Sequence, residues 1–159
     1  MVYLVRALLW AAPSLLVASL AHAVPLQGPG GFVLGSSLKA AQQHALENGW
    51  KLSPLSADLP GVWSVEGARL SMFVCDGTIM SIQEQLDGDL EEFSALVFSM
   101  TLELGKPETQ ILSVKSGGSV ISSIDARFVT DDGGVAVQLQ SIGGKRTFST
   151  NHWIKSECR

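Results

Sequence analysis

Asp76-Gly77 stands between two alternating runs, 69–75 and 78–85, and commits the middle of the chain to an antiparallel hairpin. Both inner positions of a two-residue type I′ turn take positive φ, which Gly reaches freely and Asp at small cost. In that register Cys75 faces Thr78, and Phe73 faces Met80. Short glycine turns recur downstream. Ser116-Gly117-Gly118, Asp131-Asp132-Gly133-Gly134 and Gly143-Gly144 separate strand-like runs at 111–115, 120–130, 135–140 and 145–154. Val135, Val137 and Leu139 alternate with Ala136, Gln138 and Gln140, the pattern of a strand buried on one face. Connections this short join antiparallel neighbours, since a parallel crossover needs about a dozen residues or more. Upstream, Trp50 and Leu52 alternate with Lys51 and Ser53, and Pro54 and Pro60 bound a loop before a run at 62–65.

Two helices interrupt the strands. After Gly35-Ser36-Ser37, where a Ser is placed to cap the first turn, Leu38, Ala41, Ala45 and Leu46 recur at helical spacing. Asn48-Gly49 ends that helix, because Gly accepts the left-handed conformation beyond its last turn. The second helix opens on Asp89 and Glu92, a D-x-x-E variant of the capping box. Leu90, Phe93, Val97, Met100 and Leu104 form its seam, with Leu96 beside it, and Gly105 and Pro107 stop it. The order predicts an α+β domain over 32–159, with two helices packed on one face of antiparallel sheet. The second helix-plus-strands set repeats the first, so the domain is also divisible into two units in tandem, 32–87 and 88–159.

The N-terminus reads as an export signal. A start carrying Arg6 precedes an apolar stretch from Ala7 to Leu20, and Ala21-His22-Ala23 is an A-x-A cleavage site before Val24. The expectation is a signal peptide at 1–23, a Gly/Pro-rich flexible leader at 24–31, and a periplasmic or secreted product with no membrane span after cleavage. Loss of Arg6 takes the formal charge from −4 to −5. That balance opposes nucleic-acid binding, which needs a basic stripe to meet phosphates. Two cysteines, Cys75 and Cys158, then enter an oxidising compartment and are expected to form one disulfide. The loop closed is 84 residues long, for which the chain-entropy relation gives about 4–5 kcal/mol as an upper figure. Zinc is the weaker reading of Cys75, Cys158, His44 and His152, because their spacing lacks any close ligand pair.

No catalytic pattern emerges. There is no G-x-S-x-G elbow, P-loop, dinucleotide fingerprint or C-x-x-C, and the paired glycines open no helix that could cradle a phosphate. His44, on the polar side of the first helix, and His152, beside Trp153, each lack the turn that presents a nucleophile. Asp87-Gly88-Asp89-Leu90-Glu91-Glu92 begins like a calcium loop, but Glu92 stands where Gly is required, so it reads as a turn and helix cap. Trp50, Trp63 and Trp153 are candidate partner contacts, with core packing as the competing role.

The strings 32–37 and 104–107 (FVLGSS and LGKP) resemble the punctuation of BamE-like and β-lactamase-inhibitor-like envelope modules. The resemblance implies helices packed on small antiparallel sheet and protein binding without catalysis. It carries over no binding residues, and the lipid-anchoring Cys of the outer-membrane assembly member is missing. The expected function is therefore that of an exported, non-catalytic, cofactor-free domain binding another envelope or secreted protein, as inhibitor, immunity protein or assembly factor. The rival readings are a small hydrolase using distant carboxylates and a carrier of a small apolar ligand. The intact mass of the exported protein is expected to begin at Val24, and peptide mapping without reductant to recover Cys75 joined to Cys158. A mass retaining Met1 excludes the first, and two alkylatable thiols exclude the second.

Overall fold

The computed structural model describes residues 26–155. Its element order is α1 (Leu38–Glu47), β1 (Lys51–Pro54), β2 (Val62–Glu66), β3 (Leu70–Cys75), β4 (Thr78–Leu86), α2 (Leu90–Leu104), β5 (Glu108–Ser116), β6 (Ser119–Val129), β7 (Gly133–Ile142) and β8 (Lys145–Ile154). All strands belong to one antiparallel sheet of order β1-β2-β3-β4-β8-β7-β6-β5. Two meanders, β1 to β4 and β5 to β8, meet where β4 pairs with β8 over six positions, from Ser81 opposite Trp153 to Leu86 opposite Phe148.

This corrects the expected fold class. The molecule is one continuous eight-stranded sheet with two minor helices, and it is not two helix-plus-sheet units in tandem. The physical reason is the β4–β8 ladder. Once each meander's last strand satisfies the other's backbone groups, no boundary remains at residues 87–88. Each helix covers only part of the sheet: α1 contacts β1, and α2 contacts β7.

Register shows which face the helices cover. Ile82, Glu84 and Leu86 alternate to one side of β4 and face His152, Thr150 and Phe148 on β8. On that side Phe32, Ala41, Ala45, Val65, Met72 and Ile82 form the cluster beneath α1. Phe93, Ala126, Phe128, Val137 and Phe148 form the cluster beneath α2. The opposite face carries no helix.

Local chemistry accounts for the elements. Ser37 Oγ accepts from Ala40 N, and Gly49 takes φ +73° after the last turn of α1. Asp89 and Glu92 complete a reciprocal capping box, with Asp89 N donating to Glu92 Oε2 at 2.8 Å. Residues 26–34, in part read as a flexible leader, form a tight hairpin around a one-turn 3-10 helix at Pro29–Gly31, with Leu34 N bonded to Leu26 O. Burial of Phe32 to 1% exposure anchors it. Asp76 and Gly77 have φ of 50° and 73°, the turn the dipeptide specifies. Cys75 does face Thr78, but Phe73 faces Ser81 rather than Met80. A bulge between Phe73 and Val74 leaves Met80 as the extra residue of β4.

Three seam assignments also change. Leu46 lies one helical step, about 100°, beyond Ala45 and faces solvent. Leu90 and Leu104, the terminal residues of α2, are exposed because no further turn shelters them. The packing stripe is Phe93, Leu96, Val97 and Met100. Phe93→Ala is expected to cost about 3–5 kcal/mol, whereas Leu102→Ala, at a site 73% exposed, stays near wild type. Urea midpoints of the two variants check this, and equal midpoints would place the stripe in solvent.

Candidate functional site

The helix-free face is built from the residues that alternate outward from the core. Ser71, Gln83, Asn151, Ala136 and Arg127 make one row across β3, β4, β8, β7 and β6. Gln85, Ser149, Gln138 and Asp125 make the next. Amides and hydroxyls dominate, and formal charge is sparse. Two open clefts lie on this face. One, of about 300 Å³, is lined by Gln83, Asp125, Arg127, Gln138, Asn151 and Trp153 among others. The other, of about 540 Å³, continues over Ser64, Ser71, Gln85, Gln140 and Thr147.

The floor is held by side-chain hydrogen bonds. Gln138 Nε2 donates to Asp125 Oδ1 at 2.6 Å, and Ser123 Oγ donates to Asp125 Oδ2 at 3.0 Å. Gln83 Nε2 donates to Ser149 Oγ at 3.5 Å across the β4–β8 ladder. Ser123, Asp125 and Ser149 are each 7% exposed although no helix covers them. A carboxylate buried this far is tolerable because each oxygen has a donor. Arg127 is exposed on the cleft and makes no ion pair among the described residues.

Trp153 forms one end of the first cleft. It pairs with Gly134 on β7, and a Cβ at Gly134 would lie 2.5 Å from the ring's Cζ2. The absent side chain is what lets the indole lie across the neighbouring strand. Trp50 and Trp63 are elsewhere. Both pack against the cluster under α1, and Trp50 stacks on Phe32 at 6.0 Å between ring centroids. The structure thus separates the three candidate tryptophans and puts one of them in the clefts. The neighbours of Trp153 in the site were missed at sequence level, although the alternation of Ala136, Gln138 and Gln140 had marked their strand.

The two histidines do not converge. His44 is not simply on a polar helix face: its ring packs edge-on against Phe32 at 4.7 Å, and its Nε2 lies 2.9 Å from Gly30 O. This ties α1 to the N-terminal hairpin. His152 lies on the helix-covered side, paired with Ile82 and Val135. Thr150, on the same side, is buried with its hydroxyl unpartnered. Asp87 pairs with Arg69, and Asp89 is the cap of α2, so neither belongs to a calcium loop. Among the described residues no three His, Cys, Asp or Glu groups assemble at metal-binding distance, and no helix is long and apolar enough to cross a membrane. Between α2 and the sheet lies an open groove of about 650 Å³ lined by Leu90, Ser94, Ile124, Leu139 and Arg146 among others.

Cys75 ends β3 and is not a free thiol, while Cys158 falls outside the described residues, as do residues 1–23, read above as a signal peptide, and the first residues of the expected leader. No known protein family, curated protein or solved structure matches the chain.

Burial holds the His152 imidazole below its ordinary value. The unfolded chain therefore binds a proton, near pH 6.5, before the folded one does. The stability this gives is fully present above about pH 6.5 and is lost as pH falls toward the depressed folded value. Denaturant midpoints are expected to decline from pH 7.5 to pH 5.5, and His152→Gln to flatten that decline. An identical slope in the variant would refute the assignment.

Proposed function

We propose that the protein is an exported, non-catalytic binding protein that recognises another envelope or secreted protein with the helix-free face of its sheet. The observation that carries this is the amide and hydroxyl surface running from β2 to β6, open along two clefts. Five of its side chains are held in place by the Gln138–Asp125–Ser123 and Gln83–Ser149 hydrogen bonds. Such a surface offers many donors and acceptors at fixed positions, and the fixed ones lose little conformational entropy on binding. Trp153 and Arg127 are residue types that dominate binding energy at protein interfaces. Neither of them is paired with a nucleophile or a general base, so the arrangement suits recognition better than turnover. Inhibition of a hydrolase, immunity to a toxin and envelope assembly are the forms this recognition takes.

The compartment rests on the 1–23 signal reading. The direction of β8 supports the Cys75–Cys158 pairing. Antiparallel to β4, it runs past Trp153 toward the end of the sheet where Cys75 closes β3. Three residues separate Ile154 from Cys158, a span of roughly 10–14 Å when extended.

Capture from envelope extract with the immobilised exported chain should recover a partner. Arg127→Ala and Trp153→Ala should each weaken its binding by more than about tenfold. Leu46→Ala, on the outer side of α1, should not. Arg127 is exposed, so its loss reports on recognition without a folding defect. Binding unchanged in both face variants would exclude this surface.

A further inference from the structure

The sheet has two edges, and they differ. The β1 edge is four residues long, ends at Pro54 and carries the Lys51–Glu66 ion pair. Proline and charge on a short strand are the ordinary means of blocking strand addition. The β5 edge is longer, has no proline within it, and carries charge only near its two ends. It is nine residues long, pairs with β6 from Glu108 to Ser116 without a bulge, and is exposed at every residue. Its middle is apolar, with Ile111, Leu112 and Val114 at 75%, 46% and 42% exposure. Exposed apolar residues concentrate around it. Of the fifteen large ones among the described residues, nine lie on α2, β5 or β6.

We infer that the β5 edge pairs antiparallel with the β5 edge of a second copy of this chain, joining two sheets into one. This goes beyond the proposed recognition function and does not depend on it. The end charges favour a second copy in antiparallel rather than parallel orientation. The only charges on β5 are Glu108 at one end and Lys115 near the other, so antiparallel self-pairing sets each strand's acidic end beside its partner's basic end, on opposite faces of the sheet, whereas parallel pairing would align like charges.

The register follows from the hairpin. Gly117 and Gly118 both have positive φ and form a two-residue turn, which closes on a hydrogen-bonded Ser116–Ser119 pair. By alternation the even residues of β5 direct their backbone groups to β6, and Thr109, Ile111, Ser113 and Lys115 direct theirs to the open edge. A two-fold axis perpendicular to the sheet at Leu112 uses all four. Thr109 then faces Lys115, Ile111 faces Ser113, and Leu112 faces Leu112 in a pair without backbone hydrogen bonds. The axis keeps both copies of α2 on one side and both helix-free faces on the other. Leu102 and Leu104, separated from the edge by Gly105, Lys106 and Pro107, add apolar surface near the seam.

Sedimentation equilibrium of the exported chain should give the dimer mass at micromolar concentration. Leu112→Lys, which sets two ammonium groups across the axis, should raise the dissociation constant more than about tenfold. Opposed residues in a pair without backbone hydrogen bonds lie about 4.5 Å apart at Cα, within disulfide range. Leu112→Cys should therefore cross-link spontaneously between chains, and Gln110→Cys, which faces Val114, should not. The register is thus readable even where the charged variant folds poorly. A monomer at all concentrations, as expected if a foreign strand takes this edge, would overturn the inference. So would equal cross-linking by both cysteine variants.

Discussion

The ladder between β4 and β8 is the contact on which the rest of the molecule depends. Each meander by itself would leave a strand with half its backbone groups facing water. Pairing them satisfies both strands and makes them the centre of the sheet. It also fixes parity. With Ile82 opposite His152 and Gln83 opposite Asn151, the apolar clusters fall on one side and the rows of amides on the other. A slip of β4 by one residue against β8 would place Gln83 in the core and Ile82 in solvent. The polar clefts exist because that register holds.

The helix-free face differs from an ordinary wetted sheet. Solvent-facing strands are often rich in Lys and Glu, which repel close approach by most partners through hydration and rotamer entropy. Here the central rows are Gln, Ser and Asn, and the one deeply placed carboxylate is fully hydrogen-bonded from within. A partner meeting this face need not strip water from a row of charges, which favours contact by fixed hydrogen bonds and by the indole of Trp153.

Much of the local structure was legible because it is written in adjacent residues. Ser37, Asp89 with Glu92, Gly49, Gly105 and Asp76-Gly77 each act within one turn of chain, and each does so in the structure. What spacing could not convey is where distant elements meet. Nothing near residue 85 announces residue 148, so the joining of two strand sets into one sheet was hidden, and with it the fold class. The bulge at Phe73 and Val74 shifted one register for the same reason, since a bulge is stabilised by the strands on either side. The clefts were hidden twice over. Their polar residues looked like the dull half of an alternation, and only the sheet order brings Gln83, Asn151 and Arg127 into one row. Trp153 could be singled out by type, but Trp50 and Trp63 share that type and pack, half-buried, against the cluster under α1.

The strand at the middle of the sheet is also its last in chain order. Ser81 and Trp153 are neighbours in space and 72 residues apart in sequence. The central ladder cannot form until β8 has left the ribosome, and until then β4 offers an open edge to any other strand. Contacts of such separation make folding slow relative to helical domains, because loop-closure entropy is lost before the sheet returns it. A chain truncated within β8 would lack the centre of its structure rather than its margin. Synthesis of this protein therefore passes through a long interval in which most of the sequence exists and the sheet does not.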